Sequence, residues 1–422
     1  STTYIDPEVT TLAGSGTYGY VNDNGTAASF KNPNGVTSDG TNLYVSDSSN
    51  NKIRKIVIST GEVTTLAGTA STESGITDGT GTDARFNFPS GITTDNTSLY
   101  VVDQSNQKIR KIVISSGEVT TLAGTASTES GYTDGTGTDA RFNGPSGITS
   151  DGTNLYVSDT NNHKIRKIEI ATGEVTTLAG TASTESGITD GTGTDARFNF
   201  PSGITTDNTS LYVVDQSNQK IRKIVISSGE VTTLAGTAST ESGYTDGTGT
   251  DARFNGPSGI TSDGTNLYVS DTNNHKIRKI EIATGEVTSL AGTATTESGY
   301  TDGTGTDARF NNPTGITSDS TSLYVSDSSN HKIRRIVIST GVVTTLAGTA
   351  STESGYTDDN GTDARFNYPV GITSEDTNLY VTDQNNHTIR KIAIRETKTA
   401  DLTLHNLDDD TDVTVAVSSS DT

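Results

Sequence analysis

The sequence predicts an all-β protein: a seven-bladed β-propeller of four-stranded blades, its ring closed by the N-terminal strand, with a C-terminal β tail. Three observations carry this. A Gly-Ile or Gly-Val pair returns at Gly35, Gly91, Gly147, Gly203, Gly259, Gly315 and Gly371, always 56 residues apart. Each repeat holds short runs rich in Val, Ile, Thr, Tyr and Leu, and no window carries a sustained helical apolar period. The fourth run is missing from the last repeat and stands instead at the N-terminus.

The elements follow in chain order. Residues 8–14 (EVTTLAG) read as the closing strand. The unit is cleanest in the third repeat: GITSD at 147–151, NLYVSD at 154–159, KIRKIEI at 164–170 and EVTTLAG at 174–180. Asp151-Gly152 and Thr172-Gly173 supply tight turns between them. A fixed period of this size means stacked supersecondary units, and four-stranded antiparallel sheets repeated about an axis make a propeller. The first three strands occur seven times and the fourth only six times after its own third strand. The arithmetic closes if the N-terminal strand completes the last blade, which also removes an open sheet edge. Residues 1–395 form the propeller, and 396–422 are of different character.

Four motifs recur in step: Pro-x-Gly-Ile, Leu-Tyr-Val-x-Asp, Asn-x-x-Ile-Arg-x-Ile and Val-Thr-Thr-Leu-Ala-Gly. In these the chain, over residues 8–394, resembles the NHL-repeat β-propellers, of the bacterial secreted type with 56-residue repeats. The namesake Asn-His-Leu triplet is here Asn162-His163-Lys164, Asn106-Gln107-Lys108 or Asn50-Asn51-Lys52. The third position is expected to start a strand and point outward. The resemblance implies a binding or assembly scaffold rather than an enzyme, and function must still come from a site.

Composition narrows the classes. Only 29% of residues are hydrophobic, and there is no Cys, Met or Trp. Disulfides and thiol chemistry are therefore excluded. The net charge of −22 argues against nucleic acid as a partner. No run is long and apolar enough to span a membrane. The chain begins at Ser1, which fits a removed leader, and the expectation is an extracellular or cell-surface protein. Sequons at Asn24, Asn96, Asn208, Asn360 and Asn386 are candidate glycosylation sites in that setting. Residues 60–176 are identical to 172–288, so drift has not specialised one blade for a unique site.

The long connector between one blade and the next (125–145) carries the candidate chemistry. Its Asp134/Asp139 pair recurs as Asp78/Asp83, Asp190/Asp195, Asp246/Asp251, Asp302/Asp307 and Asp358/Asp363. Two carboxylates among Gly and Thr are weak calcium candidates, because calcium takes six to eight oxygens. No cofactor is expected. Arg141-Phe142 recurs too; the Phe reads as an inter-blade core plug and the Arg as a holder of connector carboxylates or carbonyls. Asp159, Asn162 and Arg166 recur in every blade, as structural turns do. His163, His275, His331 and His387 share one position with Gln107, Gln219 and Asn51. That interchange reads as a surface polar group and argues against an enzyme of the propeller-lyase kind, which uses His and metal. No nucleophile–base arrangement or phosphate loop is present.

The tail alternates at Leu402 and Leu404 and again at Val413, Val415 and Val417, around an acidic turn. It reads as a surplus strand or hairpin that packs on its own ring or adds to a neighbour. The leading expectation is a non-enzymatic extracellular structural protein that self-associates through this tail into an oligomer or filament. The alternative is a recognition module that binds a glycan, peptide or surface protein on the connector face, with Tyr132, Tyr244, Tyr300 and Tyr356 as a platform.

Overall fold

The structure, a computed structural model, describes residues 7–394. It contains seven antiparallel sheets arranged as a ring. Blade 3 is representative. Its strands are Pro145–Ser150, Asn154–Asp159, Lys164–Glu169 and Glu174–Ala179, in that order from the inside outward. The first strand of each blade touches the first strands of both neighbours, and Pro369–Glu375 returns to Pro33–Ser38. The recurring glycine is explained there. A Cβ on Gly147 would collide with the carbonyl of Ser202 in the next blade, and the pattern runs round until Gly371 meets the carbonyl of Asn34.

The ring closes as the repeat count requires. Glu8–Ala13 lies beside Thr388–Ala393, with Val9 opposite Ile392 and Thr10 opposite Lys391. The last blade thus takes its fourth strand from the other end of the chain.

The core lies between blades rather than within them. Tyr100, Val102 and Ile109 of blade 2 pack with Phe142, Leu155, Val157 and Ile168 of blade 3. The same set recurs at every junction, including Tyr380 and Ile389 of blade 7 against Phe30 and Leu43 of blade 1. Phe142 is fully buried, as a plug between blades should be. Each such side chain contributes about 1.5–3 kcal/mol on burial, so a ring with 29% hydrophobic residues concentrates them where two sheets meet.

The two faces of the ring differ in chemistry. On one, Asp151 accepts the Asn154 N–H at 2.6 Å and the Tyr156 hydroxyl at 2.7 Å, which ties the first turn to the core. On the other run the connectors. These are more ordered than a run of turns. Gly135–Thr136 forms a two-residue strand on the outer edge of Glu174–Ala179, followed by a short turn of 3-10 helix, Gly137–Asp139. Six of the seven sheets gain a fifth strand this way, and blade 1 has a single bridge, Asn24 to Glu62, in its place. The tail and its candidate assembly residues, Leu402, Leu404, Val413, Val415 and Val417, lie outside the described residues.

Closure makes a prediction. Deleting the N-terminal residues through Ala13 strips the partner from Thr388–Ala393 and exposes an edge strand. Light scattering should then show dimers or larger species, with a lower Tm. A monomer of unchanged Tm would contradict the closure.

Candidate functional site

The connector face is built on a buried guanidinium. Arg166 is fully buried, and its Nη1 donates to Asp159 Oδ2 at 2.9 Å and to the Arg141 carbonyl at 2.7 Å. Its Nη2 donates to the Thr133 carbonyl at 3.0 Å and to Asp134 Oδ1 at 2.7 Å. Asn162 Nδ2 bridges Asp159 Oδ2 and the Gly131 carbonyl at 2.8 and 2.6 Å. Asp159 Oδ1 accepts the Asn143 N–H at 2.8 Å. The guanidinium also lies 5.0 Å from the centre of the Phe142 ring. One side chain thus pins both ends of the loop. Burial pushes the Asp159 carboxyl up to about 6 against the pull of Arg166. With arginine permanently charged, the pair is ionic at neutral pH.

This arrangement explains the connector acids. Asp134 accepts from Arg166 and from the Thr177 N–H and hydroxyl, each of the latter at 2.9 Å. Asp78, Asp190, Asp246, Asp302 and Asp358 make the corresponding ion pair in their blades. Asp83, Asp139, Asp195, Asp251 and Asp307 stand exposed at the 3-10 turn. Among the described residues no three His, Asp or Glu side chains form a group able to hold a metal ion. Arg141 donates to its own connector's carbonyls, Thr138 at 2.7 Å and Ala140 at 2.9 Å, rather than to Asp139's carboxylate.

Two sequence expectations need correction. The third triplet position does not point outward. Lys164 is buried, and its Nζ donates to the carbonyls of Thr181 and Ser183, the start of the following connector. Burial, with Arg166 beside it, brings this ammonium down to about 8. The methylene stem can line a core while the head finds carbonyls, which alternation alone does not reveal. Nor is the histidine position a simple surface polar group. Nδ1 of His163, His275, His331 and His387 accepts the backbone N–H of Phe200, Asn312, Tyr368 and Asn32 in the next blade, at 3.1, 3.1, 3.0 and 3.2 Å. Gln107, Gln219 and Asn51 do the same through their amide oxygens, to Gly144, Gly256 and Phe88. His, Gln and Asn interchange because each offers an acceptor across the junction. Among the sequons, Asn24, Asn96, Asn208 and Asn360 are exposed. Asn386 is buried, with Nδ2 donating to Gly355 and Asp383, so it offers no amide to a glycan.

Above this frame stand aromatic rings. Tyr20, Tyr132, Tyr244 and Tyr300 lie over Lys52, Lys164, Lys276 and Lys332, with ring centres 5.3, 5.3, 5.4 and 5.6 Å from Nζ. Each keeps between 42% and 46% of its surface exposed, and Tyr356 keeps 67%. A second set was not anticipated from sequence. Phe88, Phe200 and Tyr368 carry the clasped N–H and adopt left-handed backbone at φ 53°, 52° and 57°. The equivalent residues of blades 3 and 5 are Gly144 and Gly256, at φ 57° and 56°. Phe88 and Phe200 are exposed, and the Phe200 ring meets His163 edge-on at 4.9 Å. The available signal was the interchange of Phe and Gly before the recurring proline, which a core position does not tolerate.

The histidine clasp makes a pH prediction. Burial lowers the pKa of all four clasp histidines from 6.5. The unfolded chain therefore takes up protons first as pH falls below about 6.5, and the folded state loses stability on acidification. Replacing all four by Gln keeps the acceptor. The stability difference between wild type and this variant, from urea titrations, should be flat above about pH 7.5 and turn against wild type below about 6.5. A difference independent of pH would refute the clasp.

No protein-family profile matches the chain. NHL repeat-containing protein 2 of Bos taurus is 31% identical over 348 residues, 74% of this chain and 47% of that protein. The chain spans less than half the length of the curated relatives it matches. Among solved structures, virginiamycin B lyase from Staphylococcus aureus superposes with a TM-score of 0.60 at 15% identity, covering 92% of this chain and 99% of the lyase. An auxiliary nutrient binding protein from Bacteroides thetaiotaomicron superposes at 0.52 and 19% identity, covering 82% and 83%. At these identities the structural likeness speaks for the fold alone, whereas the blade count, the motifs and the curated relatives converge: the chain belongs to the NHL-repeat β-propellers.

Proposed function

We propose that the chain is a non-catalytic recognition module that holds a partner on the connector face of its ring. One observation carries the reading. The large hydrophobic side chains exposed among the described residues are Tyr18, Tyr20, Val21, Phe88, Tyr132, Phe200, Tyr244, Tyr300 and Tyr356, and all of them lie in connectors. Exposed apolar groups gathered on one side mark an interaction surface, and loops on a rigid scaffold are where binding residues concentrate. The nutrient-binding neighbour is in keeping with this.

The lyase neighbour raises an enzymatic alternative. What supports the non-catalytic reading is the use of the histidines. Each clasp histidine spends Nδ1 on a backbone N–H, and Gln or Asn serves equally in three blades. No bound cofactor belongs to this reading. Among the described residues no helix is long and apolar enough to cross a membrane. An extracellular setting belongs to this reading, and in it the exposed sequons at Asn24, Asn96, Asn208 and Asn360 are the candidate glycosylation sites. Self-association through residues 396–422 is a second proposal. It rests on the alternation of Val413, Val415 and Val417 and on a ring whose last blade already has its fourth strand.

Hydrogen exchange on the whole chain tests the reading, with a panel of neutral polysaccharides, acidic polysaccharides and peptides as probes. Protection on binding should gather in the connectors, around Tyr132, Phe200 and Tyr300. Protection confined to the opposite turns near Asp151, or to residues 396–422, would contradict it.

A further inference from the structure

The inference rests on the connector-face reading and names its ligand. We propose that the face binds a neutral polysaccharide at two equivalent aromatic sites, Tyr20 with Phe88 on blade 1 and Tyr132 with Phe200 on blade 3. In each site the two aromatics sit on consecutive residues. Tyr20 lies over Lys52, and the Phe88 N–H binds Asn51. Tyr132 lies over Lys164, and Phe200 is clasped by His163. Over blades 2 and 4 the same positions hold Ile76 with Gly144, the latter leading into blade 3, and Ile188 with Gly256, leading into blade 5, so a bare blade separates the sites. Over blade 6 Tyr300 and Tyr368 stand in the same way on Lys332 and His331, but Tyr368 is half-buried, which leaves two sites with both rings exposed.

Three features select the ligand. The first is the charge under the rings. An ammonium 5.3 Å from each tyrosine centre already occupies the electron-rich inner face. The outer face is then poorer for a second cation, so a ligand that stacks there is uncharged and gains by the area it covers, as the flat side of a sugar ring does. The net charge of −22 repels polyanions. The rings also stand among the Ser, Thr, Asn and Gly of the connectors rather than in an apolar groove, which fits a hydroxyl-bearing ligand better than a hydrophobic peptide.

The second feature is strain. Phe88 and Phe200 hold left-handed backbone, costly for a bulky side chain, where Gly144 and Gly256 do the same structural work. Apart from the edge contact of Phe200 with His163 the fold gives no reason for the phenyl rings, and their exposure puts them at the surface where a ligand would stack. The third feature is repetition. The two sites recur at one fixed offset in the sequence, so each takes the same chemical unit. A single ligand chain that engages both must itself repeat, and its apparent affinity gains from the second contact.

The test is affinity electrophoresis of the full chain in gels containing a soluble β-glucan, xylan or galactomannan, with alginate as the acidic control. At least one neutral polysaccharide should retard the protein, and alginate should not. Phe88→Gly and Phe200→Gly should each weaken retardation about tenfold or more, and the double variant should abolish it. Their Tm should be unchanged or raised, because glycine suits the backbone. Tyr20→Ser with Tyr132→Ser gives an independent route to the same loss. The inference falls if no neutral polysaccharide retards wild type, if alginate binds as well, if the double Phe variant still binds, or if Phe→Gly lowers Tm. If a peptide instead protects the same connectors in hydrogen exchange, recognition by this face stands and the polysaccharide falls.

Discussion

A buried arginine in every blade is the constraint on which the rest depends. Arg54, Arg110, Arg166, Arg222, Arg278, Arg334 and Arg390 are all fully buried, each paired with an equally buried aspartate. Replacing such a pair by well-packed apolar residues is often neutral for stability, whereas removing one partner costs about 3–5 kcal/mol. Its value here is positional. The planar fork reaches two backbone carbonyls and a carboxylate of the connector at once, as a lysine could not. A loop of some twenty polar residues has few apolar groups to dock with, and the guanidinium supplies what a hydrophobic contact otherwise would.

The frame separates what is fixed from what varies. Asp159, Asn162 and Arg166 have counterparts in every blade because each satisfies a group that would otherwise be buried unpaired, and Phe142 because it fills the junction between blades. The clasp needs only an acceptor, so His, Gln and Asn all serve. The aromatic positions above carry no such duty. Tyr132 can become Ile188 and Gly144 can become Phe200 without loss of the blade, and chemistry can change there while the ring stays the same.

Much of this was legible in the sequence. The 56-residue period, the displaced fourth strand at residues 8–14 and the turns at Asp151-Gly152 gave blade number and closure, because register and turn chemistry are local and repeated. The Asp159–Asn162–Arg166 recurrence was visible, but its burial was not. A charged residue on a strand reads as solvent-facing unless its partners, some 25 to 33 residues away, are known. Lys164 misled for the same reason. The clasp joins residues 37 apart in neighbouring blades, and no single-strand pattern records it. Phe88 and Phe200 were marked in the sequence only by their interchange with Gly144 and Gly256, since the left-handed backbone that exposes them belongs to the three-dimensional junction.

The most direct test of the central claim is native-state hydrogen exchange on an Arg166→Met variant. Methionine is apolar and of similar length, and Asp159→Asn made with it leaves no unpaired buried charge, so the blade can stay packed while the fork is lost. The account predicts that protection falls in residues 131–143, where the connector loses its anchor, and that the equivalent connectors of other blades keep theirs. Unchanged protection in residues 131–143, or an equal loss in all seven connectors, would contradict it.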